Sequence, residues 1–339
     1  MRPTAPHRVA TTVDELLAGA ERREPFVNPD GRSTAAFERV WIDGRPHIVK
    51  YLHLDDDFMM RMTGDLGCRP VRAWAAGLLD SAPALVDHTI VGAAGGYGRN
   101  GWGAALLMRD VSAELVAVAG PPFTPEAHEL FVDHLAGWCA STWGFRDDAD
   151  TGPGLQPYVI RWAYFDKTTL DGEAALGWRE RVPRIAAEGW ARFWERAPRS
   201  TAGVIEELWR DSAPLAAALR STPSCLLHGD PKASNMGIAP DGRMILIDWA
   251  YVGEGPAAHE ISWYAALNRE KLPVSKEETI EAFRTGLERH GVDTTGWWER
   301  QLGLALLGTL VQFGWEKALG DDDELGWWCA AARDGARFL

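Results

Sequence analysis

Positive charge is in deficit in this chain. Its 339 residues hold 35 Lys+Arg against 48 Asp+Glu, a formal net charge of −13. Affinity for a phosphate backbone needs clustered positive charge, so a general nucleic-acid binder is excluded. Cysteine is scarce too. Cys68, Cys139, Cys225 and Cys329 are scattered, without Cys-x-x-Cys or a Cys/His cluster at zinc spacing. They are expected as buried thiols in a reducing cytoplasm. Residues 1–20 contain no long apolar segment of the secretory type. The longest apolar stretch, 302–315, is interrupted by Gln312 and is shorter than the roughly 18 residues of a membrane-spanning helix. It is expected to be a core helix, and no membrane partner is expected. No internal repeat or low-complexity linker is present. A hydrophobic fraction of 46% excludes wholesale disorder.

Lysine is the rarest of the charged residues. Only six occur, at 50, 167, 232, 271, 276 and 317, so 35 − 6 leaves 29 arginines. In such a chain, a lysine inside a motif marks a need for a compact ammonium rather than a guanidinium fork. Tryptophan, by contrast, is abundant at 17. Most of these are expected in the core, with some lining a pocket for a sugar or an amine.

The first 110 residues read as a small β-rich unit. Asp43-Gly44 separates two β-rich runs, which is a hairpin signal. Residues 55–66 read as a short helix entered from an Asp run. Residues 86–93 and 103–111 read as two more strands joined by a Gly-rich turn. From residue 111 the pattern turns helical. Thr124-Pro125-Glu126 places a cap before a Pro at the first helical position. Residues 172–220 read as mostly helical. Ser275-Lys276-Glu277-Glu278 has the capping-box form, and its helix should stop at Gly291. The acidic runs at 55–57 and 321–324 read as solvated faces or helix entries.

One segment interrupts the helices. It runs from Cys225 through His228, Asp230, Lys232 and Asn235 to Ile238, then through Asp241-Gly242 to Asp248-Trp249. Two short apolar strands flank a polar loop, and the hairpin should fold Asp248 back beside that loop. One carboxylate is then available to accept a proton. An amide and a second carboxylate can hold a hard cation, because magnesium takes oxygen ligands from one or two carboxylates plus substrate phosphates. Phosphoryl transfer needs this combination of positioning, charge neutralisation and a base.

His-Gly-Asp-x-x-x-x-Asn followed by Ile-Asp-Trp resembles the aminoglycoside phosphotransferase and choline kinase-like family, related to protein kinases. The resemblance implies an α+β, two-lobed protein kinase-like fold. Residues 1–110 would form a nucleotide-binding lobe, and 111–339 a helical catalytic and acceptor-binding lobe. It also implies ATP- and Mg2+-dependent phosphorylation of a hydroxyl on a small molecule: an aminoglycoside, an amino alcohol or a sugar. The net charge leans mildly toward a polyamine-like acceptor.

By the same resemblance, Asp230 matches the catalytic base, and Asn235 and Asp248 the magnesium ligands. Lys50 matches the strand lysine on the α/β-phosphates. The 31–36 loop, with Gly31, Ser33 and Thr34, matches the phosphate-covering turn. Met108, within 107–110, belongs to the adenine hinge. Glu260 resembles the acid that braces the catalytic loop. Lys232 is expected on the transferred phosphate, and His228 is expected to fix the backbone rather than to catalyse.

Two departures stand out. No Glu lies between Glu38 and Glu114, so the helix Glu that normally pairs with the strand lysine is missing. Asp65 is the expected substitute. The phosphate loop also carries a single glycine. A literal Gly-x-Gly-x-x-Gly does occur at 96–101, but a strand-like run follows it where a dinucleotide loop needs a helix. It is expected to be a hairpin. The alternative reading is a non-catalytic nucleotide-binding protein on the same fold, which the missing Glu favours and the intact Asp230, Asn235 and Asp248 oppose. A protein kinase is disfavoured by the absence of an activation segment after Trp249.

Overall fold

Asp43 and Gly44 have φ of 50° and 68°, the left-handed pair that a two-residue type I′ hairpin requires. The computed structural model, which describes residues 6–27, 35–148 and 152–339, builds its N-terminal sheet around this turn. Strands β1 (Ala20–Pro25), β2 (Phe37–Ile42), β3 (Arg45–Leu52), β5 (Ile90–Tyr97) and β6 (Gly103–Arg109) form an antiparallel sheet in the order β1-β2-β3-β6-β5. The pleat then sorts β3 into two faces. Val49 and Tyr51 join Val40, Ala105 and Leu107 in a small cluster that helix α1 (Val13–Leu16) helps to cover. Lys50 therefore points to the opposite face, opposite Phe37 on one neighbouring strand and Leu106 on the other.

The 86–93 strand is broken in two. Strand β4 (Val86–Asp87) is followed by Thr89, whose φ is 63° and whose N–H donates to the Asp87 carboxylate at 3.0 Å. That left-handed turn lets β4 leave the N-terminal sheet and pair in parallel with β9 (Met244–Leu246), which pairs antiparallel with β8 (Met236–Ile238). The strand leading to Asp248 is thus held from both sides. Strands β7 (Cys225–Leu227) and β10 (Gly253–Gly255) pair antiparallel on either side of this segment.

Helices α2 (Phe58–Thr63) and α3 (Arg69–Ala75) follow β3. The remainder is helical: α4 (Pro125–Ser141), α5 (Lys167–Ala175), α6 (Arg181–Arg196), α7 (Arg199–Arg210), α8 (Ala213–Arg220), α9 (Ala257–Leu267), α10 (Lys276–Arg289), α11 (Trp298–Leu319) and α12 (Asp322–Ala336). The expected caps are present. Thr124 Oγ1 accepts the Ala127 N–H at 3.2 Å. Ser275 and Glu278 form a reciprocal capping box, and each such cap contributes about 1 kcal/mol.

The 302–315 stretch lies within α11, which is largely buried. Gln312 is not a defect in it, because its Oε1 accepts the Trp263 indole N–H at 2.7 Å and its amide donates to the Arg161 carbonyl. Among the described residues, no helix is long and apolar enough to cross a membrane. Trp138, Trp162, Trp190, Trp249, Trp263 and Trp328 are fully buried, and all four free cysteines are buried. The glycine-rich 96–101 segment is the β5–β6 hairpin expected, with Gly96, Gly98 and Gly101 at positive φ and no helix after it.

Candidate active site

The polar loop after β7 is built on Gly229. Its φ is 83°, and a Cβ there would lie 2.9 Å from both the Cβ and the carbonyl oxygen of Tyr251, so no other residue fits without displacement. His228 locks the turn from both ring nitrogens. Nδ1 accepts the Asp230 N–H at 3.2 Å, so Nε2 carries the proton and donates to the Ile247 carbonyl at 2.9 Å. Burial pushes this imidazole down to about 4, which keeps it neutral. It therefore ties the loop to the strand end that precedes Asp248, the structural role expected of it.

Glu260, fully buried on α9, accepts the Gly229 N–H at 3.0 Å. Burial pushes its carboxyl up to about 7 against the lowering effect of that bond. The expected brace is present. Asn268 supplies a second one that the sequence reading missed. Its Oδ1 accepts the Ala233 N–H at 2.6 Å, and its Nδ2 donates to the carbonyls of Pro231 and Tyr264, each at 2.9 Å. It sits at the C-cap of α9, where Asn is a common helix terminator, so sequence alone gave no functional signal.

Five of the expected residues come together around this braced loop. Asp230 Oδ2 accepts from Lys232 Nζ at 2.5 Å and from Asn235 Nδ2 at 2.9 Å. Burial raises the Asp230 carboxyl above the usual carboxylate range, although the Lys232 ammonium opposes the shift. Lys50 Nζ donates to Asp248 Oδ1 at 2.8 Å, a contact between residues 198 positions apart in the chain. Asp248 has φ of 63°, a left-handed backbone that costs roughly 1 kcal/mol or more and that Asp tolerates better than most residues. Burial alone would raise its carboxyl, but the ammonium groups of Lys50 and Lys232 outweigh that and bring it to about 2.

The expected partner of Lys50 is corrected. Asp65 lies past the left-handed Gly64 that ends α2. Its carboxylate is taken by backbone N–H groups at the start of α3, with Arg69 N at 3.0 Å and Gly67 N at 3.3 Å. Besides Asp248, the acids whose charge acts on Lys50 are Asp57 and, more weakly, Asp230. Asp57 caps α2 through the N–H groups of Met59 and Met60 and lines the same cleft. Within the acidic run at 55–57, Asp57 is therefore turned inward, whereas the Asp55 side chain is exposed.

One cleft joins these groups. Lys50, Asp57, Asp230, Lys232, Asn235 and Asp248 all line it. Met108 lines it beside Ile90, Leu106 and Ile247, which together form an apolar slot. Gly31, Ser33 and Thr34 lie outside the described residues.

A buried carboxylate held by an ammonium and an amide, beside a lysine–aspartate pair and an apolar slot, is an arrangement that can support phosphoryl transfer. Residues 69–294, more than half of the chain, match the sequence model of the phosphotransferase enzyme family known as APH. The chain belongs to this family, whose members are small-molecule kinases that use ATP and an alcohol acceptor.

Solved structures agree on the fold. A microcompartment-associated aminopropanol kinase is 13% identical, with 96% of this chain and 98% of that chain covered at a TM-score of 0.51. Choline kinase LicA from Streptococcus pneumoniae is 12% identical, with the same coverages, at 0.50. Amicoumacin kinase hAmiN, solved with AMP-PNP, Ca2+ and Ami, is 12% identical, with 96% and 90% covered, at 0.50. No curated protein matches the sequence.

Proposed function

We propose that this phosphotransferase transfers the γ-phosphoryl group of ATP to a hydroxyl of a small molecule, an aminoglycoside, amino alcohol or sugar, with Mg2+. The observation that carries the reading is the pairing of Lys50 with Asp248 at 2.8 Å beside the Asp230–Asn235 bond. The missing helix Glu favours a non-catalytic nucleotide binder; against that reading, Lys50 is paired with Asp248 and has the charge of Asp57 beside it.

In this reading residues 1–110 are the nucleotide-binding lobe and 111–339 the catalytic and acceptor-binding lobe. Adenine enters the slot at Met108, and Lys50 leaves Asp248 for the α/β-phosphates. Gly31, Ser33 and Thr34 cover the phosphates.

The donor set suits magnesium. Asp248 and Asn235 offer hard oxygen ligands. Among the described residues, no group of three or more His, Cys, Asp and Glu side chains could form an all-protein metal cage. That matches an ion shared with nucleotide phosphates. Asn235 and Asp248 would hold it, and it would neutralise charge on the β- and γ-phosphates.

Asp230 carries out the proton step. Its two donors both bind Oδ2, and Oδ1 takes the proton of the acceptor hydroxyl. The acceptor oxygen bonds to the γ-phosphorus as the bond from that phosphorus to the bridging oxygen breaks, and ADP departs with the electron pair. Lys232, already on Asp230, steadies the transferred phosphoryl group. The test is ADP release with magnesium, ATP and a panel of hydroxylated acceptors. Asp230→Asn should lower turnover at least about 100-fold, the low end for a lost general base. Undiminished turnover in that variant would contradict the assignment.

A further inference from the structure

The chain carries a net charge of −13, and lysines offset part of the negative charge of its cleft. The described residues lining it include four carboxylates: Asp57, Asp230, Asp248 and Glu316. Three of the chain's six lysines are set against three of them. Lys50 Nζ is 2.8 Å from Asp248, Lys232 Nζ is 2.5 Å from Asp230, and Lys317 Nζ is 2.8 Å from Glu316. The fourth, Asp57, caps a helix and lies in the field of Lys50. Glu316 is thus the one lining carboxylate outside the catalytic group, and the lysine that faces it, Lys317, also pairs with Glu324 at 3.2 Å. The lysines offset part of the negative charge of this cleft and leave at least one carboxylate in excess.

The wall beyond Asp230 is aromatic. Tyr251, Trp263 and Phe313 form a chain of rings, with Trp263 5.3 Å from Tyr251 and 4.7 Å from Phe313. Phe165 and Trp315 form a second pair at 5.2 Å. Phe165 is held there under strain. Its φ is 54°, a left-handed backbone disfavoured for a bulky residue. Two indole N–H groups, from Trp190 and Trp209, both donate to its carbonyl at 2.9 Å. Two side chains from α6 and α7 therefore fix a strained backbone whose ring faces the cleft. Strain of this kind persists only where its surroundings over-determine it, and it clusters at ligand sites.

We propose that the acceptor is an alcohol with a predominantly apolar body, packed against Phe165 and Trp315 with its hydroxyl at Asp230. The inference rests on the phosphotransfer reading and narrows it. Net charge describes the surface as a whole, whereas the acceptor meets this aromatic wall.

The test is calorimetric titration of the full chain, with ADP and magnesium present, by 2-amino-1-phenylethanol, ethanolamine and kanamycin. The phenyl compound should bind at least about tenfold more tightly than either of the others, because the ring is the part the wall recognises. Phe165→Gly suits the left-handed backbone and removes the ring, and it should abolish that advantage. Glu316→Gln, at a partly exposed position, should keep the advantage and weaken the amine compounds only a few-fold. Tightest binding of kanamycin, equal affinities, or no binding of the phenyl compound overturns the proposal. Stabilisation by ATP and magnesium is read in parallel. Its absence defeats the phosphotransfer reading itself, whereas its presence with a reversed ranking defeats only the acceptor class.

Discussion

Glu260→Gln probes the brace behind the catalytic loop. The Glu260 carboxyl is pushed up to about 7 in the folded protein, chiefly by burial, from an ordinary value of 4.5. The folded state therefore binds this proton more tightly than the unfolded state. Between those two values the folded chain holds more protons, so this group's contribution to stability falls as pH rises. It is largely intact near pH 4.5 and is lost as pH climbs through 7. Integrating the two titrations from pH 5 to pH 8 gives a loss of about 2.5 kcal/mol.

Glutamine keeps an oxygen that can accept the Gly229 N–H and has no proton to lose in this range. Urea unfolding of wild type and variant at pH 5, 6, 7 and 8 gives the comparison. The difference between the two proteins cancels the titration of other groups, His228 among them. The variant should be the less stable or equal partner at pH 5 and should gain on the wild type by about 2–3 kcal/mol by pH 8. A difference that does not change with pH would refute the reasoning and mean that Glu260 is ionised throughout.

Two further perturbations address the geometry of the loop and the corrected partner of Lys50. Gly229→Ala forces a Cβ to within 2.9 Å of Tyr251 at a φ of 83°. It should cost at least about 1–3 kcal/mol and abolish turnover, read by unfolding and ADP release. Asp57→Asn should weaken binding of ATP with magnesium several-fold by withdrawing charge from beside Lys50, whereas Asp65→Asn should lower stability by about 1 kcal/mol and leave nucleotide affinity unchanged. The opposite pattern, read by titration calorimetry, would restore Asp65 as the partner.

Local chemistry was legible in the sequence where the residue type itself forces the geometry. Asp43-Gly44 specifies its turn, Ser275 and Glu278 their capping box, and the spacing of His228, Asp230, Asn235 and Asp248 the site. Non-local placement was not legible. Asp57 and Asp65 are both acids near α2. Which one faces Lys50 depends on Gly64 turning the chain left-handed between them. Val86 and Asp87 read as part of a continuous strand, and a positive φ at Thr89 sends them to β9 instead. Asn268 reaches the loop through backbone groups more than thirty residues away in sequence. The role of Phe165 depends on two tryptophans from other helices. No periodicity records such contacts.

The central claim is that Lys50 and Asp248 separate to receive a nucleotide and its magnesium. Thermal unfolding of wild type and Asp248→Asn, each with and without millimolar ATP and magnesium, tests it most directly. Asn tolerates the left-handed backbone at this position, so the variant should fold. Ligand at about 100 times its dissociation constant adds roughly 2.7 kcal/mol, a rise of several degrees. The account predicts that rise in the wild type, dependent on magnesium and lost in the variant. No rise in the wild type, or an equal rise in both proteins, would contradict it.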